Sequence, residues 1–501
     1  MRSLSAQHSR IVRRVTLSLR GFTQKLHKKR IHTCLQPASV PYIPPEVWGL
    51  IIHHACLLDY DPLVSISQLS FLDSAASHLA CYRAVMRIKT TLSLVCQSWH
   101  HFAQPYLFEF VWISSAAQAK VLARTLLIEY ISSSDHGTSG KYIRRLHIET
   151  PALERCAPAD LRTILEYSPN ISVYSDYHSV QRGVGDGAAD PRCSPEAILR
   201  LVTHPKMRRL SWTSYDDLPF ELRMSPFLTN VATRLEYLEL SSRSSTLRGP
   251  SPDHVEFPAM AVCLPSLRAL KVSLDNNTFA VLASWDMPAL TNLSVLSSDF
   301  SYTGTGFAQF FHAHGLKLRQ LELGHSSSLV EEYYLTTPHH LLQMQQSHTQ
   351  PPPVPLAEWC PNLREFICSA DAEWHWRSPD WIAPHILLPA HPRVEFIGIR
   401  DIDTRLLEDP AVPHAPADTP YFLLLEQMSS ILCHDAFPSL RFVRDLSTES
   451  HRMRTVRPSE RVLGFWSRVV QKCHERAVWL EDCDGVNITQ RALKRAALVR
   501  D

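Results

Sequence analysis

One spacing of apolar residues returns along most of the chain: apolar, two arbitrary positions, apolar, one arbitrary position, apolar. It stands as Ile143-Arg144-Arg145-Leu146-His147-Ile148, then with first, second and third apolar places at Met207, Leu210 and Trp212, and at Leu235, Leu238 and Leu240. Further copies begin at Leu267, Leu290, Leu318, Leu363 and Val394, and weaker ones at Ile171 and Leu440, where Asp176 and Asp445 take the last apolar place. The alternating end of each copy reads as a strand, with one side chain inward and the next outward. Helix-like stretches precede many copies (Leu161–Tyr167, Glu196–Val202, Phe279–Trp285, Phe307–His312, Tyr421–Leu432), and Pro169, Pro205, Pro288 and Pro438 then stop the chain before the strand. Helix, proline stop and short strand make a repeating αβ unit that cannot bury both faces alone. Stacked units give a parallel sheet on one side and helices on the other. The steps between copies run from 23 to 46 residues, so the predicted array is irregular. An ordinary α/β domain with leucine-rich strands would share the composition but not the near-even recurrence. The fold class predicted is α/β, with an irregular αβ solenoid and a parallel sheet over residues 113–455.

Flanking segments read differently. Ile43-Pro44-Pro45-Glu46-Val47-Trp48 starts a helix: the prolines suit its first turn and Glu46 its positive end. Val47, Leu50, Ile51 and His54 follow at helical spacing. Leu94-Val95-Cys96-Gln97-Ser98-Trp99 is a second amphipathic phrase, leading into Pro105-Tyr106-Leu107-Phe108. At the far end, Phe465, Trp466, Val469 and Val470 recur at helical spacing, so 456–501 reads as a helical cap. Ser-, Pro-, Gln- and His-rich stretches at 242–258, 338–355 and 408–420 read as loops.

Charge narrows the partners. The chain of 501 residues carries net charge +2, yet residues 1–40 hold six Arg, three Lys and no acid. The body is therefore mildly acidic, which disfavours nucleic-acid binding over a broad surface. The first 40 residues read as a disordered basic tail, with a mitochondrial presequence as the alternative. No apolar run is long enough for a membrane span. The 12 cysteines include no C-x-x-C pair, and Cys96, Cys263 and Cys368 fall on apolar faces. Reduced thiols fit a cytoplasmic or nuclear compartment.

The two early phrases, in this order and ahead of the repeats, resemble an F-box followed by divergent leucine-rich repeats. The F-box is a small helical module that docks a chain onto the Skp adaptor of cullin-type ubiquitin ligases. Ile43, Pro44 and Glu46 match its hydrophobic-Pro-x-Glu opening, and Val95, Cys96 and Trp99 match its Val-Cys-x-x-Trp phrase. The resemblance covers residues 41–112. It implies an adaptor-facing surface drawn from Ile43, Pro44, Val47, Ile51, Leu94, Val95 and Trp99, of which Ile51 and Trp99 would instead favour the module's own core. Glu46 and Val95 lie 49 positions apart, about twice the family's usual gap, and the excess reads as an insertion at about 56–90. Such an insertion costs little closure entropy, roughly 0.6 kcal/mol per doubling of length. The repeat family's turn-closing Asn is replaced by Arg243, Asp275, Ser298, Ser326, Asp371 or Ile402, which implies irregular turns.

The function implied is a substrate-recognition adaptor, with a Skp-type adaptor, and through it a cullin, as one partner and an unidentified protein substrate as the other. The alternative is a non-ligase binding scaffold whose first helices only cap the solenoid. No catalytic constellation, metal site or cofactor is expected. Gly183-Val184-Gly185-Asp186-Gly187 lacks the strand and helix of a phosphate cradle, and His53-His54 and His339-His340 are adjacent and point apart on a helix. Trp374, Trp376, Trp359 and Trp381 form the densest aromatic patch, read either as core filling or as a partner anchor.

Overall fold

The structure is a computed structural model that describes residues 43–56, 69–72, 75–132, 138–150, 154–176, 190–214, 227–242, 262–273, 281–297, 305–325, 355–370, 388–408, 421–456 and 458–498. The basic tail, Gly183–Gly187, His339-His340, most of the three loop stretches and Trp374, Trp376 and Trp381 lie outside the described residues. The chain forms two compact units, Met1–Ile51 and Ile52–Asp501.

In the second unit the recurring hexamers become strands. Among the described residues they are β1 (Phe110–Ile113), β2 (Arg145–Ile148), β3 (Val173–Asp176), β4 (Arg209–Ser214), β5 (Tyr237–Ser242), β6 (Ala269–Ser273), β7 (Asn292–Ser297), β8 (Gln320–His325), β9 (Glu365–Ser369), β10 (Phe396–Arg400), β11 (Phe442–Asp445) and β12 (Trp479–Glu481). They form one 12-stranded sheet in chain order, each strand parallel to the next. Chain order without reversal is the topology of a solenoid-like αβ array, in which every unit packs on its sequence neighbours. The middle apolar residue of each copy, together with Leu480 of β12, falls in one register: Leu146, Tyr174, Leu210, Leu238, Leu270, Leu293, Leu321, Phe366, Ile397, Val443 and Leu480 are all buried in a continuous core.

The helices that follow β1 cover that row. α1 (Pro45–Ala55), α2 (Ala75–Ser93) and α3 (Gln97–Glu109) come first, and α3 runs directly into β1. α4 (Ala116–Ser132) buries Ala119, Ala123 and Leu126; α5 (Pro158–Glu166) buries Leu161, Ile164 and Leu165. α6 (Pro195–Val202) is capped by Ser194, whose hydroxyl accepts from the Ala197 N–H at 3.2 Å. α7 (Thr305–His314) inserts Phe307, Phe310 and Phe311. α8 (Leu356–Trp359), α9 (Ile402–Glu408), α10 (Phe422–Ile431) and α11 (Thr448–Thr455) follow.

A tight turn delivers each strand. The first apolar residue of a copy donates its N–H to the carbonyl three residues earlier: Ile143 to Gly140 at 3.0 Å, Met207 to His204 at 2.9 Å and Leu363 to Cys360 at 3.1 Å. The residue just ahead of that apolar position binds the preceding repeat. Asn170 donates to the Lys141 carbonyl at 2.7 Å, Ser266 to Thr233 at 2.7 Å, Asn362 to Leu316 at 2.9 Å and Ser439 to Pro392 at 2.7 Å. These side chains satisfy turn carbonyls that no strand partner reaches.

Two strands extend the sheet beyond the hexamers recognised in sequence. β1 lies at the end of the early helices, and β12 lies in the stretch expected to be a purely helical cap. That stretch is instead α12 (Glu460–Glu475), β12 and α13 (Gln490–Leu498). α12 does bury Phe465, Trp466, Val469 and Val470 as its spacing predicts. Among the described residues no helix is long and apolar enough to cross a membrane.

Candidate partner-binding surfaces

The first unit offers the start of α1. The Val47 and Trp48 N–H groups donate to the Pro44 carbonyl at 3.0 and 3.2 Å, so Pro44 closes the first turn while contributing no donor of its own. Pro44, Pro45 and Glu46 are exposed and Ile43 is half-buried. Val47 and Ile51 are also open, at 41% and 46% exposure. The core role implied for Ile51 is therefore not what the structure shows. One position on, about 100° around the helix, Ile52 is the buried residue.

In the second unit, Ile52, Cys56 and Ala103 form a small core against which Leu92, Trp99, Phe102 and Tyr106 pack. Trp99 is half-buried and packs against that core. Leu94 and Val95, in the turn between α2 and α3, are 79% and 56% exposed. Cys96 is not on an apolar face as its spacing suggested: it caps α3, its thiol accepting from the Trp99 N–H at 3.5 Å. Cys263 is exposed beside Asp286, and only Cys368 of those three thiols is buried.

The second unit also presents the sheet face opposite the helices. Polar side chains there bond along the ladder. Ser211 and Tyr237 donate to Glu239 at 2.8 and 3.0 Å, Lys271 pairs with it at 2.8 Å, and Ser294 donates to Glu322 at 2.6 Å. Burial alone would raise the Glu239 carboxyl, but Lys271 and the two hydroxyl donors hold it below the ordinary carboxylate range. The His147 and Trp112 rings meet at 4.1 Å, tilted by 55°, and burial pushes the imidazole below the usual histidine range.

Part of this face is already covered. Leu69, Ser70, Phe71 and Leu72, from the segment read as an insertion, lie across it. Asn292 donates to the Leu69 carbonyl at 2.6 Å, the Phe71 N–H donates to Gln320 Oε1 at 2.9 Å, and Gln320 Nε2 donates to the Ser70 hydroxyl at 2.8 Å. The Arg400 guanidinium donates to the Phe71 carbonyl and pairs with Glu322. Leu69 and Phe71 close a second apolar cluster with Ala269, Ile367 and Leu446.

Among the described residues no group of three or more His, Cys, Asp or Glu is placed to hold a metal ion. The cleft beside Tyr106 and Asn170 gathers Lys141, Arg144 and Lys206 with Glu109 and Ser172.

The contacts to Leu69–Leu72 were missed in sequence because Asn292, Gln320 and Arg400 are outward strand residues with no spacing signal of their own. The inter-repeat Asn and Ser ladder did leave a trace. Pro169-Asn170-Ile171, Pro265-Ser266-Leu267, Pro361-Asn362-Leu363 and Pro438-Ser439-Leu440 are one tripeptide repeated.

Comparison with known proteins assigns no family. No family model matches the chain, and no curated protein matches it. Among solved structures, a crystal structure of a Bacteroides fragilis protein aligns over 82% of this chain and 83% of its own, at 11% identity and a TM-score of 0.30.

Proposed function

We propose that this chain is the substrate-recognition adaptor of a Skp–cullin–F-box ubiquitin ligase, its early helices docking the Skp adaptor and its repeats holding a protein target. The observation that carries the reading is the contrast within one phrase. Leu94 and Val95 stand open to solvent while Trp99, half-buried, packs against the helical core. Adjacent large apolar residues in a tight turn gain nothing from exposure unless another chain covers them. The Pro-x-Glu helix start with Val47 exposed supplies the other half of the motif. Leucine-rich-repeat-like stacking behind the helices supplies a surface for the target. Catalysis then belongs to the partner enzymes, and this chain contributes proximity.

A second reading has its own observation. α3 continues into β1, and the Arg144 N–H donates to the Glu109 carbonyl at 3.0 Å, so these helices close the end of the sheet. A scaffold with no ligase role would need only that. Co-purification with the Skp adaptor separates the two: wild type is recovered and the Pro44→Ala/Val47→Asp variant is not. Equal recovery of both leaves the capping role alone.

A further inference from the structure

The face that would hold a target is not bare, and what covers it is informative. Four residues of the chain lie there in a manner that reads main chain more than side chain. Asn292 takes the Leu69 carbonyl, Gln320 the Phe71 N–H, and Arg400 the Phe71 carbonyl. Phe71 and Leu72 form a turn, so main-chain recognition of this kind transfers to a segment able to adopt that turn. Selectivity comes from two apolar contacts and one small polar one. Phe71 sits 6.2 Å from the Tyr237 ring, with Ala269 and Ile367 beneath the cluster, and the Ser70 hydroxyl meets Gln320.

Ala269 and Ile367 are themselves fully buried although they lie on the sheet face away from the helices. Ala269 and Ile367 sit beside the polar strand residues Asn292 and Glu322, and Leu69 and Phe71 are the apolar side chains that close over them. The occupant here is separated from its partners by 223 to 329 positions and is not part of any repeat.

We propose that this face is a peptide-binding groove, that Leu69-Ser70-Phe71-Leu72 fills it as an internal stand-in, and that the target enters as a segment of the same apolar–small polar–aromatic–apolar order, turned in the same way, and displaces it. The inference deepens the proposed target-binding role of the sheet and is independent of adaptor docking. A tethered segment competes at an effective concentration on the order of millimolar, so an external segment binds well only when the internal one is weakened.

The test uses the full chain and a fluorescein-labelled synthetic peptide of residues 66–75, followed by anisotropy. The expected result is saturable binding to a Leu69→Ala/Phe71→Ala variant at least about tenfold tighter than to wild type. Binding is lost when the peptide's own Phe is replaced by Ala, and weakened by Gln320→Ala. A folded double variant that does not bind the peptide, or binds it no better than wild type does, overturns the proposal. If that variant fails to fold, hydrogen exchange on wild type decides. A Phe71 amide that exchanges at least tenfold faster than the Leu293 and Leu321 amides marks a releasable segment. Protection equal to theirs marks a permanent brace and overturns the proposal. Neither readout involves the Skp adaptor, so this inference and the docking reading fail separately.

Discussion

The Asn362 side chain donates to the Leu316 carbonyl at 2.9 Å, across 46 positions of sequence and one joint between stacked units. The same bond recurs at Asn170, Ser266 and Ser439, so it is a property of the array and not of one turn. Asn362→Ala leaves a turn carbonyl to water and is expected to cost about 1 kcal/mol, with Asn170→Ala alike, since neutral hydrogen bonds contribute about that much net. Urea midpoints check it; an unchanged midpoint for both variants would mean that the ladder is decorative.

Gly315 sits where the turn passes closest to its neighbour. A Cβ there would lie 2.5 Å from the Trp359 carbonyl oxygen, and at the equivalent Gly140 one would lie 2.1 Å from that of Tyr167. Backbone cannot give way as a side chain does. Gly315→Ala is expected to destabilise by about 1–3 kcal/mol, the range for overpacking, read as a lowered denaturation midpoint.

Arg454 and Asp445 form a buried pair at 2.7 Å, and the guanidinium also lies over the Trp466 ring. Removing the cation strands a carboxylate that is only 1% exposed. Arg454→Met is expected to cost about 3–5 kcal/mol, and the Arg454→Met/Asp445→Asn double variant to recover part of that. A double variant as unstable as the single one would show that the cost is packing and not charge.

His314 gives a pH signature. Burial, followed by the nearby Lys317 cation, holds its imidazole down at about 4. Lys317 donates to Nδ1 at 2.9 Å, which leaves Nε2–H to donate to the Leu282 carbonyl at 3.3 Å, so the folded ring is neutral. Between the ordinary histidine value and about 4 the unfolded chain binds the extra proton, so this contribution is complete above the ordinary value and lost as pH falls toward 4. His147, His204 and His391 are shifted in the same direction by burial. The urea midpoint of wild type is expected to fall from pH 7 to pH 5, and that of His314→Gln to fall less. Parallel losses would remove His314 from the account.

Each of the ten hexamers read in sequence lies on a strand of the sheet, including the two that end in Asp. Both acids are buried in the inward place, and local partners hold Asp445 there. Asp445 takes Arg454, and its carboxylate also accepts the Ser447 N–H at 3.0 Å. The two strands that went unread failed for opposite reasons. Around β1, Phe108, Val111 and Ile113 keep the spacing, but Phe110 and Trp112 are large and apolar too, so no alternation shows. At β12 the corresponding places are Ala477, Leu480 and Asp482, so only the middle one is a large apolar residue. The residues proposed for docking were picked out by short motifs, and Ile51, expected in the core, is exposed where its neighbour Ile52 is buried. The covered sheet face was not legible at all, because contacts across more than 200 positions leave no local spacing.

The central claim is that exposed apolar residues of the early helices bind the Skp adaptor. Titration of purified Skp adaptor into the full chain by calorimetry, beside a Leu94→Asp variant with an unchanged melting temperature, tests it most directly. The account predicts saturable binding to wild type and at least a tenfold loss in the variant, about 1.4 kcal/mol or more. No heat with wild type, or the same affinity for both proteins, would contradict it.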